Sequence, residues 1–311
     1  MTKQAYDLIG DIHGQAAELE ALLEKLGYRR AANSYRHENR KVIFVGDFVD
    51  RGPHQRRVID LVRSMIKSGD ALAVMGNHEY NAIAYHTTRA GGGFLRERST
   101  KNTNQHQAFL EEYEGDPSAW ADVIDWFKSL PLWLDLEGIR IIHACWEKAS
   151  IDRVLEFQNG SNLLGEKLLH ASGDPTTWQY KAVDTLLKGK EIRLPNGGYF
   201  HDKDGNKRNY IRVRWWDKAN TYRETYMGPE SARAHIPDDP IFGDQMIEYG
   251  HTEKPVFLGH YWLEGVPEPL AANIACLDYS VAKFGGKLVA YRWDGEAILN
   301  AAKFVSLKRK D

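Results

Sequence analysis

Cysteine is scarce: the 311 residues hold only Cys145 and Cys276. The two form no CxxC pair, so a structural zinc site or a disulfide framework is not expected, and such usage fits a reducing compartment. An excess of charge of one sign is also missing. There are 41 Lys and Arg against 43 Asp and Glu, a formal net charge of -2, which removes a global polycation as a basis for nucleic-acid binding. The basic tail Lys308-Arg309-Lys310 is too short to change this. No apolar run approaches the ~18 residues of a membrane span, and Met1 to Gly14 show no apolar leader region. The expectation is a cytoplasmic enzyme with no membrane partner. Internal repeats and low-complexity linkers are absent too. Hydrophobic residues make up 42% of the chain, ample for a buried core.

The first third alternates regularly. Tyr6 to Gly10, Lys41 to Val45 and Ala71 to Met75 read as strands. Between them Leu19, Leu22, Leu23 and Leu26, then Val58, Leu61, Val62, Met65 and Ile66, recur at helical spacing, with Gly27 and Gly69 as stops. Strands alternating with helices predict an α/β domain with parallel pairing, whose ligands gather beyond the carboxyl ends of the strands. Residues 86 to 128 read as less regular, with a flexible or tightly turned Gly91-Gly92-Gly93 and a helix near Trp120 to Phe127. Leu132 to Ile142 reads as a hairpin. From Ala149 to about Tyr249 the chain is polar and turn-rich, with hairpin turns expected at Asn196-Gly197 and Asp204-Gly205. This segment is taken as a long insertion in one domain spanning 1–311. The last strands, Pro255 to Leu258, Ile274 to Leu277 and Leu288 to Trp293, read as a hairpin-rich sheet. The mixture predicts two packed sheets with helices outside.

Five polar motifs close apolar runs. They are Asp11-Ile12-His13-Gly14, Gly46-Asp47-Phe48-Val49-Asp50-Arg51-Gly52, Gly76-Asn77-His78-Glu79, His143-Ala144 and Gly259-His260. They offer the oxygen and nitrogen donors that bind a pair of first-row divalent metals, beside an Arg and a free His suited to hydrolysing phosphate esters. Taken singly, Asp11 and Asp47 read equally well as turn or cap residues; the ordered set does not.

The ordered set resembles the calcineurin-like metallophosphoesterase superfamily, in the branch that holds phosphoprotein phosphatases and bacterial diadenosine tetraphosphatases. The resemblance implies the α/β metallophosphoesterase fold of two packed mixed sheets flanked by helices. It implies Asp11 and His13 as ligands of one metal, Asp47 as the bridge, and Asn77, His143 and His260 completing the second site. It also implies His78 as general acid, Asp50 holding the other ring nitrogen of His78, and Arg51 gripping phosphate. A second phosphate-binding Arg is expected after His143, with Arg212 and Arg214 as candidates. The implied cofactors are two divalent ions, with Mn expected and Fe, Zn or Ni also fitting. The implied reaction is in-line attack on phosphorus by metal-activated hydroxide, without a phosphoenzyme.

The leading substrate reading is a phosphomonoester, carried by a protein or a small molecule. A dinucleoside polyphosphate is the enzymatic alternative, and a non-catalytic metal-dependent binding module the alternative from another class. The filled ligand positions argue against the last. Gly250-His251 rivals Gly259-His260, but only His260 follows a clear strand. His54 and His86 read as rim residues, and Glu79 as a helix-start carboxylate or an acceptor behind the ligands. Cys145 lacks the glycine-rich loop ending in Arg of a thiol phosphatase. Its surroundings, Trp146-Glu147-Lys148, depart from the Gly-Gly usual in phosphoprotein phosphatases, which puts the bordering loop and substrate choice in question. Trp215, Trp216, Tyr222 and Tyr226 read first as core and second as a stacking surface for a nucleobase.

Overall fold

The computed structural model describes residues 4–201, 207–243, 245–247 and 249–310. Two sheets face each other. The first has six strands, with Ala5–Ile9 at its centre beside Arg40–Phe44, then Ala71–Ala73, all parallel. On its other side Ala5–Ile9 pairs antiparallel with Lys287–Trp293, which also pairs with Asp278–Tyr279 and Phe304–Lys308. The second sheet runs Ile274–Cys276, Val256–Leu258, Ile139–Ile142, Trp133–Leu136. The expected α/β architecture of two packed mixed sheets is the observed one.

Leu8, Ile43, Val45, Val74, Ile141, Phe257, Tyr291 and Trp293 pack as one buried cluster drawn from both sheets. This explains the apolar strand sequences, since the strands are covered on both faces. Helices lie outside. Ala16–Lys25 buries Leu19, Leu22 and Leu23, and Gln55–Lys67 buries Val58, Ile59, Leu61, Val62 and Met65. Among the described residues no helix is long and apolar enough to cross a membrane.

The fold departs from the sequence reading in four places. The stretch read as less regular contains a 14-residue helix, Thr100–Tyr113, started by the Ser99 hydroxyl and burying His106, Phe109, Leu110 and Tyr113. Its first two turns are polar, so the apolar period shows only near its end. The segment 149–249 is less turn-rich than expected: helices Lys148–Phe157, Glu166–Ser172 and Trp178–Lys188 occupy its first half. Asn196-Gly197 is a corner, not a hairpin turn. It joins Glu191–Arg193 to Phe200–His201, and these strands pair instead with Tyr210–Arg212 and Lys207–Arg208. The Asp204-Gly205 turn lies outside the described residues. Last, Val256–Leu258 pairs in parallel with both neighbours, although hairpins were expected. Its link to Ile274–Cys276 contains no helix, and a helix is the usual sign of a parallel crossover.

Leu8 is fully buried between the sheets. Leu8→Ala is expected to cost about 2–5 kcal/mol in chemical denaturation, because the cavity sits between two hydrogen-bonded layers that cannot collapse onto it.

Candidate metal centre

All five motifs lie at carboxyl ends of parallel strands. Asp11 follows Ala5–Ile9, Asp47 follows Arg40–Phe44, and Asn77 opens a helix after Ala71–Ala73. His143 and His260 follow Ile139–Ile142 and Val256–Leu258 of the second sheet. The loops are tied to one another by backbone bonds: Ile12 and His13 N–H donate to the Asp47 carbonyl, at 3.0 and 2.9 Å, and Gly259 N–H to the His143 carbonyl at 2.9 Å. Gly259 is needed for this closeness, since a Cβ there would overlap the Asp11 carboxylate. Glu79 acts as a clamp. Its buried carboxylate accepts from the N–H groups of Asp47, Phe48 and Gly76 at 2.8–2.9 Å, holding two loops together.

The backbone here is strained. His13, Asp47, Asp50, Arg51, His260 and Trp262 all have φ between 46° and 73°, the left-handed region that side chains with a Cβ avoid. Such conformations cost on the order of 1–3 kcal/mol each and persist only where surrounding bonds over-determine them.

The side chains converge on Asp47. His143 Nε2 lies 3.3 Å, His13 Nε2 3.7 Å and His78 Nε2 3.9 Å from its carboxylate oxygens. Asn77 Oδ1 is 3.0 Å from His143 Nε2 and 2.7 Å from His260 Nδ1. Two groupings, Asp11-Asp47-His143 and His13-Asp47-His78, bring ligand atoms within 4.8 Å of one another, and Asp47 is in both. The donor set suits a cation for a reason visible in the hydrogen bonds. His13 and His143 each spend Nδ1 on a carbonyl, Val49 and Val45, which directs an Nε2 lone pair inward. His143 Nε2 then faces only oxygens. Asp11 Oδ1 and His13 Nε2 are buried with no hydrogen-bond partner among the described residues, and His260 turns Nδ1 towards Asn77. Acceptor atoms gathered around Asp47 without donors fit divalent ions.

The titration behaviour points the same way. Burial acts to lower the His143 pKa, yet the Asp47 and Asp11 carboxylates raise it to about 10. Burial and the Asp278 carboxylate push Asp11 well above the usual carboxylate range. Burial, Arg51 and His78 depress His13 to about 3. The excess of negative charge is answered by either a proton or a cation, and a cation answers it without protonating a ligand.

Beside the cluster, His78 Nδ1 donates to Asp50 Oδ2 at 2.5 Å, leaving Nε2 3.4 Å from an Arg51 nitrogen. The Arg51 guanidinium carbon lies over the Trp262 ring, 3.5 Å from its centroid, with Lys283 also over that ring at 4.9 Å. Arg212 and Arg214 part company, although alternation put them on one face. The strand ends at Arg212. Arg212 lies 5.7 Å from the ring of Tyr261, next to His260. Arg214 is instead bonded to the Glu224 carbonyl and paired with Asp217, near the exposed His251. His54, His86 and His251 are exposed and outside the cluster. Cys145 is fully buried, and burial raises its thiol well above the ordinary range. Trp215, Trp216 and Tyr222 are buried; Trp215 Nε1 donates to the Ala144 carbonyl, bracing the His143 loop from below.

Three neighbours were not visible in the sequence. Asp278 is buried and accepts from the Trp262 backbone N–H at 2.7 Å, holding the backbone turn from which the indole reaches Arg51. Trp262 lies two residues beyond His260, which was the one available hint. His106, on the unforeseen helix, donates from Nδ1 to Asp50 Oδ1 at 2.7 Å and stacks on Phe109. Asp50 is therefore held by two imidazoles, one on each oxygen. Burial opposes its charge, but His106 and His78 keep it well below the usual carboxylate range.

The chain belongs to the calcineurin-like phosphoesterase family, whose model matches residues 6–261. It is a metal-dependent hydrolase. A bis(5′-nucleosyl)-tetraphosphatase of Oceanobacillus iheyensis is 34% identical over 139 residues, 44% of this chain, and the chain spans 54% of that protein's length. A protein of the same name from Bacillus cereus is 32% identical over 211 residues, 61% of this chain and 82% of its own length. Among solved structures, a cold-active protein-tyrosine phosphatase of a Shewanella species aligns over 99% of this chain and 80% of its own, at 16% identity and a TM-score of 0.51. A serine/threonine phosphatase of Saccharomyces cerevisiae aligns over 99% of this chain and 80% of its own, at 13% identity and a TM-score of 0.51. These two likenesses concern the fold.

Two outcomes follow. Mn added at a hundredfold excess over its Kd should stabilise metal-stripped protein by about 2.7 kcal/mol in thermal unfolding, and Asp47→Asn should remove most of that gain. His106→Phe, which keeps the ring stack but leaves Asp50 Oδ1 without a donor, should lower kcat about tenfold with KM unchanged, at a cost of about 1–3 kcal/mol in stability. A mutant with unchanged kcat would make His106 a packing residue only.

Proposed function

We propose that the chain hydrolyses dinucleoside polyphosphates, with divalent ions held by Asp11, His13 and Asp47 on one side and by Asp47, Asn77, His143 and His260 on the other. The observation that carries this reading of the site is the inward convergence of lone pairs on Asp47 beside a His78–Asp50 pair and Arg51. When bound, the ions supply positive charge that polarises a phosphoryl group and acidifies water. Mn is the expected metal; Fe, Zn and Ni suit the same ligands.

The protein's own groups do the rest. Arg51, held over Trp262, presents its planar fork to two phosphate oxygens. Arg212 approaches from the His260 side. His78 Nε2 gives a proton to the leaving oxygen while Asp50 holds Nδ1–H and fixes the ring. His106 holds Asp50 in turn. Glu79 keeps Asp47 in place through the backbone.

The choice of substrate is supported by the two bis(5′-nucleosyl)-tetraphosphatases, to which the chain is 34% and 32% identical over 139 and 211 residues. The phosphomonoester reading has one observation in its favour. An open groove of about 500 Å³ beside Arg51 and His78, walled by Asn104, Gln105 and Glu111, has room for a phosphopeptide.

Metal-stripped protein reloaded with Mn should be assayed on diadenosine tetraphosphate, phosphoserine and phosphotyrosine peptides, and para-nitrophenyl phosphate. The highest kcat/KM is expected on diadenosine tetraphosphate. A phosphopeptide turned over at least tenfold better would transfer the assignment to the phosphomonoester reading. His78→Asn should reduce kcat by about 10²–10⁴ on the phosphoserine peptide, and by less on diadenosine tetraphosphate, whose leaving phosphate is a far weaker base than an alkoxide.

A further inference from the structure

Beyond Arg212 the paired strands Glu191–Arg193 and Tyr210–Arg212, with their continuation Phe200–His201 and Lys207–Arg208, roof a cavity of about 690 Å³. Its far wall is the segment from Tyr226 to His235. The volume lies within the roughly 300–1,000 Å³ of small-molecule sites. Its chemistry is two-sided. Phe200 and Tyr226 form an apolar wall, their rings edge to face at 5.9 Å. Among the described residues Lys207 and Arg212 line it together with one carboxylate, Glu191, so the cavity favours an anion that carries an apolar body.

Arg212 joins the cavity to the ligand cluster. It lines the cavity, stands 5.7 Å from the ring of Tyr261, and its Nε is buried without a protein acceptor among the described residues. Tyr261 follows His260 directly. A buried guanidinium N–H with no acceptor, between a basic cavity and a cluster built for phosphate, is placed to bind a phosphate oxygen of a molecule that occupies both.

We propose that this cavity is the subsite for one nucleoside of the substrate. The base lies against Phe200 and Tyr226, Lys207 faces the first phosphate, and the chain runs past Arg212 to the cluster. The assignment rests on the dinucleoside polyphosphate reading above and adds to it a place, a set of residues and a direction of approach. The four aromatics that drew attention in the sequence divide accordingly. Trp215, Trp216 and Tyr222 are core, and Tyr226 alone reaches the cavity.

The test uses Ser231→Trp, which fills the cavity from an exposed position on its rim, and Lys207→Glu, which reverses one of its charges. Titration calorimetry of the Mn-loaded protein with ADP, and separately with inorganic phosphate, reads the two halves of the site. The expected result is ADP binding weakened at least tenfold in both variants, with phosphate binding within twofold of wild type. On turnover, kcat/KM for diadenosine tetraphosphate should fall at least tenfold while that for para-nitrophenyl phosphate holds. ADP binding that is absent from the wild type, or equal in wild type and variants, would overturn the subsite. The two readings fail separately: a wild type that cleaves only phosphomonoesters removes the substrate assignment, whereas the cavity stands or falls on the ADP titration.

Discussion

The rest of the site depends on an electrostatic conflict around Asp47. Two carboxylates, an amide oxygen and inward-facing imidazole nitrogens are packed at hydrogen-bond distances in a buried pocket, with few donors between them. Unpartnered polar groups of this kind cost free energy individually and repel one another collectively. They remain in place because the backbone is held independently of the side chains. The Glu79 carboxylate takes three N–H groups, and the His13 loop hangs on the Asp47 carbonyl. Burying one acid to support another carries its own cost. Burial and the neighbouring Asp47 raise the Glu79 pKa to about 7.

The left-handed backbone belongs to the same account. Six residues of the site adopt it. Asp50 and Arg51 in succession at φ 70° and 73° turn their side chains to opposite duties, one to His78 and His106, the other to Trp262. Energy stored in the loops is offset by the packed sheets beneath them, whose core residues are almost wholly inaccessible.

How legible was this in the sequence? The alternation of strands and helices up to Asn77 was readable because strand ends, glycines and polar motifs coincide there. The residues now gathered at the centre were readable for the same reason, since each closes an apolar run. His106 was not, because it sits on a helix whose first turns, Thr100 to Gln107, have no apolar period. Asp278 and Trp262 carry no motif and matter only through what they touch. The parallel pairing of Val256–Leu258 was hidden by a crossover without a helix. Arg212 and Arg214 could not be separated by alternation, because the strand stops between them. Short-range pattern reveals donors in series; it does not reveal which distant side chain orients them.

The donors also come from two different layers. Asp11, Asp47 and Asn77 belong to the first sheet, His143 and His260 to the second. An ion held by both sets is a cross-link between sheets, closing chain loops of about 66 (Asn77 to His143) to 213 (Asp47 to His260) residues much as a disulfide would. Its contribution to the fold is then partly entropic, through the loops it closes in the unfolded chain. The chain has two buried cysteines and no disulfide between them, and the same cluster that is suited to phosphate chemistry is placed to act as its staple.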